Sequence, residues 1–184
     1  MPNHVTHRLK IKGPKSDRDA FIEKHVNGRL LDFETFIPMP EEIRNTQSPN
    51  RDEALSASLM MRYGHPDWYS WSRANWGTKW NAYTPHDESS LARRYKAFDI
   101  LTFNTAWTSP LPVLQRMLNT WPTLTFCVTL YDEYGYVAEF TLGSSTKERN
   151  VVNHGRDSKL FRALYRRVFR PLKGGVELSS KADS

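Results

Sequence analysis

The chain has 184 residues, of which 39% are hydrophobic and 25% charged, a balance that fits a globular protein and excludes a disordered one. No apolar run approaches the roughly 20 residues of a membrane helix, and the opening MPNHVTHRLKIKG lacks the apolar centre of a secretory signal, so a cytoplasmic location is expected. The net charge of +6 is unevenly placed: residues 1–146 hold 16 Lys plus Arg and 16 Asp plus Glu, whereas residues 147–184 hold 10 basic and 4 acidic residues, as a neutral body with a basic appendage would.

Residues 4–12, HVTHRLKIK, alternate Val5, His7, Leu9 and Ile11 with polar neighbours and predict a strand with one buried face. A helix follows, with Ser16 as its expected N-cap and Asp17 and Asp19 in the first turn. Asn27-Gly28 ends it, and residues 30–37 read as a second strand. A proline-rich loop leads into a helix after Pro49 that carries Leu55, Leu59 and Tyr63 and stops at Gly64. HPDWYSWSRANW predicts another turn or two of helix, and residues 78–83 a strand.

The second half is punctuated more clearly. YKAFDILTFNTAW alternates over Phe98, Ile100 and Thr102 as a strand does. TSPLPVLQRMLNTWP predicts a helix with Pro110 in its first turn, an apolar stripe of Leu111, Leu114, Leu118 and Trp121, and Pro122 blocking continuation. LTFCVTLYDEYGYVAEFTLG reads as a hairpin turning at residues 133–135. It holds the single cysteine, Cys127, which reads as a buried small hydrophobe in a reducing compartment. The simplest product is an α+β protein with an antiparallel, ferredoxin-like sheet and helices on one face.

Four stretches carry a family likeness: MPNHVTHRLKI at the start, FIPMPEEI at 36–43, NWGTKWNAY at 75–83 and FNTAWTSPLPVL at 103–114. Together they resemble the Api-ninety-two-like family of phage and plasmid proteins, whose C-terminal half is described as a YubB-type ferredoxin-like domain. The resemblance covers roughly residues 1–143. It implies a protein encoded by a phage, plasmid or integrated element of a bacterial host. It implies the fold already reached from the pattern, and no activity or catalytic residue.

The tryptophan motifs admit two readings. In NWGTKWNAY, Gly77 permits a sharp turn, after which Trp80 and Ala82 point one way and Lys79, Asn81 and Tyr83 the other. In the first reading Trp76, Trp80 and Trp107 pack between sheet and helices. In the second, Tyr83 or a tryptophan stays exposed as a stacking platform, as on RNA-binding sheets. Asn75, Asn81 and Asn104 sit beside large apolar residues and are expected to brace loops, with a ligand site as the alternative.

Catalytic signals are sparse. His4 and His7 fall on opposite strand faces, His86-Asp87-Glu88 lacks partners at zinc-like spacing, and His65 and His154 stand alone. Ser144-Ser145-Thr146 has no nucleophile-elbow context, no glycine-rich phosphate loop is present, and Asp132 and Glu133 read as a solvated turn. No catalytic residue, metal or cofactor is expected.

RDSKLFRALYRRVFRPLKGG is the strongest functional signal. Ser158 caps an expected helix running to Arg170, with Phe161, Leu164, Tyr165 and Val168 on one face. Lys159, Arg162, Arg166 and Arg170 fall on another, joined by Arg167 and Lys173, and three arginines repeat at i, i+4 and i+8. In one reading the apolar face docks on the domain and the arginines are solvated. In the others the ridge meets nucleic-acid phosphates, an acidic patch on a host protein, or a membrane surface. The expected organisation is an N-terminal portion over 1–79, a sheet portion over 80–146 packed with it as one unit, and a basic extension over 147–184. The expected role is a non-enzymatic binding protein that occupies a host macromolecule, a component of antiviral defence among the candidates. A nucleic-acid-binding accessory protein and a small enzyme with a site near the tryptophan motifs are the alternatives.

Overall fold

The computed structural model describes residues 3–28, 30–84 and 99–143. The alternation at the start becomes β1 (His4–Lys12), followed by α1 (Lys15–His25). Ser16 is not the cap of α1. Pro14 holds that place, and the Ser16 hydroxyl donates to Asp17 instead. The strand expected over 30–37 shrinks to β3 (Leu30–Leu31), paired with β2 (Val26–Asn27), and gives way to a 3-10 turn at Phe33–Thr35. Asp32 causes the break: its carboxylate accepts from the Glu34 N–H and its carbonyl from the Thr35 hydroxyl, local bonds that compete with a strand ladder.

α2 (Glu41–Arg44) and α3 (Glu53–Tyr63) follow. Asp52 caps α3 by accepting from the Leu55 N–H, and Gly64 ends it in the left-handed region at φ 74°. α4 (Trp68–Asn75) is capped by Asp67 on the Ser70 N–H. Residues 78–83 do not form the expected strand, and only Tyr83 pairs there, in a single bridge to Asn104. The remaining elements are β4 (Ile100–Ala106), α5 (Leu111–Thr120), β5 (Thr125–Asp132) and β6 (Val137–Leu142). Pro110 occupies the cap of α5 rather than its first turn. The buried face of α5 is Val113, Leu114 and Met117, whereas Leu111, which began the expected stripe, is exposed at the helix start.

The sheet is antiparallel with the order β4-β1-β5-β6. β1 is therefore interior, and the portions 1–79 and 80–146 share one sheet. β4 and β5 both run antiparallel to β1, so they are parallel to each other, and α5 carries the chain from one to the other past β1. Leu9 lies opposite Leu101 and Val128, and Ile11 opposite Phe126. These residues share one sheet face and join Phe21 of α1, Leu59 of α3, Trp71 of α4 and the buried face of α5 in one core. Each such fully buried side chain contributes about 1.5–3 kcal/mol. The protein is thus α+β, with the described helices on one face of an antiparallel sheet. Among the described residues no helix is long and apolar enough to cross a membrane. The segment expected to form the basic C-terminal helix, His86-Asp87-Glu88, His154 and Ser144-Ser145-Thr146 lie outside the described residues.

Candidate partner-binding surface

The two tryptophan motifs are stitched together by backbone-directed hydrogen bonds. The Thr78 hydroxyl donates to the Ala106 carbonyl at 2.7 Å and accepts from the Ala106 N–H at 3.1 Å. The Thr108 hydroxyl donates to the Gly77 carbonyl. Tyr83 and Asn104 exchange both backbone bonds, at 3.1 and 2.8 Å. Gly77 makes the turn at φ 79°, and a Cβ there would lie 2.8 Å from Pro112 Cδ. Gly77→Ala is therefore expected to cost about 2–4 kcal/mol, combining a left-handed Cβ with overpacking against α5. A fall in the urea midpoint at constant m-value checks this, and an unchanged midpoint would contradict the close approach.

The tryptophans divide. Trp76 is core: its indole N–H donates to the Ile37 carbonyl at 2.8 Å, and its ring meets Trp71 edge-on. Trp80 and Trp107 do not pack between sheet and helices as the first reading held, being 38% and 39% exposed. Continued alternation from Phe103 would have turned Trp107 toward the core. Its φ of 73°, rare for a bulky residue, turns it away, and its N–H donates to the Asn3 carbonyl. Between the two indoles sits the Lys79 ammonium, 4.6 Å from the Trp80 ring centroid, 5.4 Å from that of Trp107 and 5.9 Å from that of Tyr69. Tyr69 meets Trp107 edge-on and carries Arg73 over its ring at 5.6 Å. This surface therefore combines three aromatic rings with two cations. A cation over an exposed ring contributes only about 0.5–1 kcal/mol, so the arrangement adds little to folding.

The asparagines occupy different stations. Asn81 accepts from the Phe33 and Ala82 N–H groups and donates to Asp32, tying the 3-10 turn to the motif. Asn75 donates to the Trp71 carbonyl at the end of α4. Asn104 is buried, and its Oδ1 has no hydrogen-bond partner among the described residues. Tyr83 shares a hydrogen bond with His4, and burial, helped by Glu133, pushes its phenol up to about 12.

Beside Trp107 opens an apolar cavity of about 290 Å³, lined by Val5, Leu111, Leu130, Tyr136, Ala138 and Phe140, with Ser109 and Asp132 among its polar walls. Ser109 Oγ lies 3.0 Å from Nε2 of the fully buried His7, which stacks on Phe103. Burial lowers His7 to about 4, so the ring is neutral and a weak base, and its Nδ1 has no side-chain partner to orient it. The pair anchors the 107–109 turn on β1, and among the described residues no carboxylate bonds to Nδ1 of His7 to complete a hydrolytic triad. Cys127 is half-buried rather than buried, opposite Lys10 in the ladder. Among the described residues no three His, Cys, Asp or Glu side chains converge as a metal site.

Of the residues singled out in the sequence, the fold brings Trp80 and Trp107 into one surface with Tyr69, Lys79 and Arg73, which pattern reasoning missed. Their types are those of binding hot spots, but the contact spans segments about 30 residues apart and has no local signal. Lys159, Arg162, Arg166, Arg167, Arg170 and Lys173 lie outside the described residues. No protein-family model, curated protein or solved structure matches the chain.

Proposed function

We propose that the chain is a non-enzymatic binding protein of a phage, plasmid or integrated element that acts by occupying a host macromolecule. The observation that carries this is the exposed Tyr69–Lys79–Trp80–Trp107 surface, where two half-exposed indoles, one of them on a left-handed residue, are held for no evident gain in stability. Trp, Tyr and Arg dominate the energetics of protein interfaces. The carboxylates of Asp132 and Glu133, bonded to Asn3 and His4 near the same end of the sheet, give the neighbourhood mixed charge and favour a protein partner. The mobile-element origin rests on the four resembling motifs. The ferredoxin-like reading rests on β4–α5–β5, a split β-α-β unit around β1; β1 itself reaches its neighbour β4 through the α1–α4 region rather than through a second such unit.

Trp107→Gly tests the proposal. Glycine adopts φ 73° without strain, so stability is expected to stay within about 1 kcal/mol of the parent. Retention of host protein from nuclease-treated lysate is expected to fall at least about tenfold for this variant and for Trp80→Ala, as for interface hot spots. Undiminished retention by both variants overturns the assignment of the surface. The second reading, single-stranded nucleic acid stacked on Trp80 and Trp107 with Lys79 and Arg73 at phosphates, predicts instead binding that nuclease abolishes and salt weakens steeply.

A further inference from the structure

Val5, Leu130 and Ala138 form a buried cluster separate from the main core. The ladder places them on the helix-bearing face of the sheet, on β1, β5 and β6. They floor the cavity beside Trp107, and α5 begins at its rim with Leu111, which is 61% exposed. The Trp107 indole belongs to two places at once. It lines this cavity, and its ring also faces the Lys79 ammonium at 5.4 Å. The aromatic surface and the cavity are therefore one continuous site with an indole between its halves.

The polar groups of the cavity are already committed within the fold. Thr108 donates to the Gly77 carbonyl, Ser109 shares a bond with His7, and Asp132 accepts from the Asn3 amide and the Tyr134 N–H. An occupant thus meets apolar surface inside and needs no polar group there. A volume of about 290 Å³ is at the lower end for small-molecule pockets, which run to about 1,000 Å³, and suits one large side chain. On the other side of the indole, Lys79 and Arg73 lie over the Tyr69 ring and make no ion pair among the described residues. The site is therefore apolar at one end and cationic at the other.

We propose that the partner docks a protein segment here, with one large apolar side chain in the cavity and the carboxylate of a neighbouring acidic residue at Lys79. This rests on the aromatic surface being the binding surface. Consecutive Cα atoms are about 3.8 Å apart, so an acid one or two positions from the anchor crosses the indole to reach the ammonium. Charge also fixes the order. Asp132 and Glu139 line the cavity, so an acidic residue on the far side of the anchor is repelled and a basic one is accepted.

Selection of a displayed library of random twelve-residue peptides on the immobilised full chain tests this. Enriched peptides that are lost with Trp107→Gly are expected to share Phe, Trp or Leu with Asp or Glu within two positions on one side only. In a synthetic copy of the most enriched peptide, changing the anchor to Ala or the acid to Lys is expected to weaken binding at least about tenfold. Two protein variants address the cavity. Ala138→Phe fills it, and Leu111→Asp charges its rim from an exposed first helical position that favours an acid. Each is expected to weaken the peptide at least about tenfold, and Lys79→Glu is expected to restore binding of the acid-to-Lys peptide. Peptides that need Trp107 but are indifferent to both cavity variants overturn this inference and leave the aromatic surface standing. Enrichment without the apolar-acidic pairing, or no enrichment, overturns it as well. Peptides indifferent to Trp107→Gly remove the surface and this inference together.

Discussion

Trp76→Ala is expected to destabilise the protein by about 3–5 kcal/mol, whereas Trp80→Ala is expected to cost less than about 1 kcal/mol. The two residues stand four apart in one motif, and their chemistry is identical. Their difference lies in surroundings. Trp76 is 4% exposed and packs against Phe33 and Trp71 as well as bonding to Ile37. Removing its indole empties a large volume in the core and strands the Ile37 carbonyl. Trp76→Phe separates the two costs, keeping most of the ring and losing about 1–3 kcal/mol for the carbonyl left unpaired. Trp80 instead loses a cation over its ring and an edge contact with Tyr83. Urea unfolding followed by far-ultraviolet circular dichroism measures all three variants. Equal losses for Trp76→Ala and Trp80→Ala would remove the distinction between core and surface on which the binding assignment stands.

That distinction marks where sequence pattern ceased to be informative. β1, the β5–β6 hairpin and the Gly64 stop of α3 follow from alternation and punctuation, because each is decided within about ten residues. The fate of Trp107 is decided by one left-handed residue that reverses the direction alternation would assign. The failure of a strand at 78–83 has a similar cause. Thr78 and Tyr83 bond to β4, but between them Asn81 turns to the Asp32–Phe33 segment, so no continuous ladder forms. The interior position of β1 was likewise hidden, since it is set by pairing with strands about 100 residues away. His25 gave no local signal at all, although it became a buried node between α1, the 3-10 turn and Trp121.

His7 and His25 together are expected to make the protein acid-labile well above the range in which carboxylates protonate. In the folded state both are lowered from 6.5 to about 4, chiefly by burial. For His25, Lys24 acts in the same direction and Asp32 opposes it. The geometry explains why His25 stays neutral. The Trp121 indole N–H donates to its Nε2 at 3.0 Å, so that nitrogen is an acceptor, and Nδ1–H faces the Thr35 hydroxyl at 2.6 Å. A second proton would set two donors against each other. Above pH 6.5 both folded and unfolded chains carry neutral rings and no stability is lost. Between 6.5 and about 4 the unfolded chain takes up protons that the folded chain refuses, so stability falls as pH falls; below about 4 this contribution is spent. For the fully buried His7 the loss is about 2 kcal/mol between pH 7 and pH 5, and His25 adds a loss of the same sign. Asp17 and Glu42 are lowered by hydrogen bonds, from Thr123 and Ser16 for the first and from Tyr63 and Arg62 for the second. Their contributions therefore disappear only below about pH 4.5, outside the histidine window. Urea unfolding at pH 7, 6 and 5 reads the effect against a marginal total of about 5–15 kcal/mol. His7→Gln and His25→Gln should each flatten the slope over that range, and a parent stability that is constant from pH 7 to 5 would show that these rings protonate without unfolding.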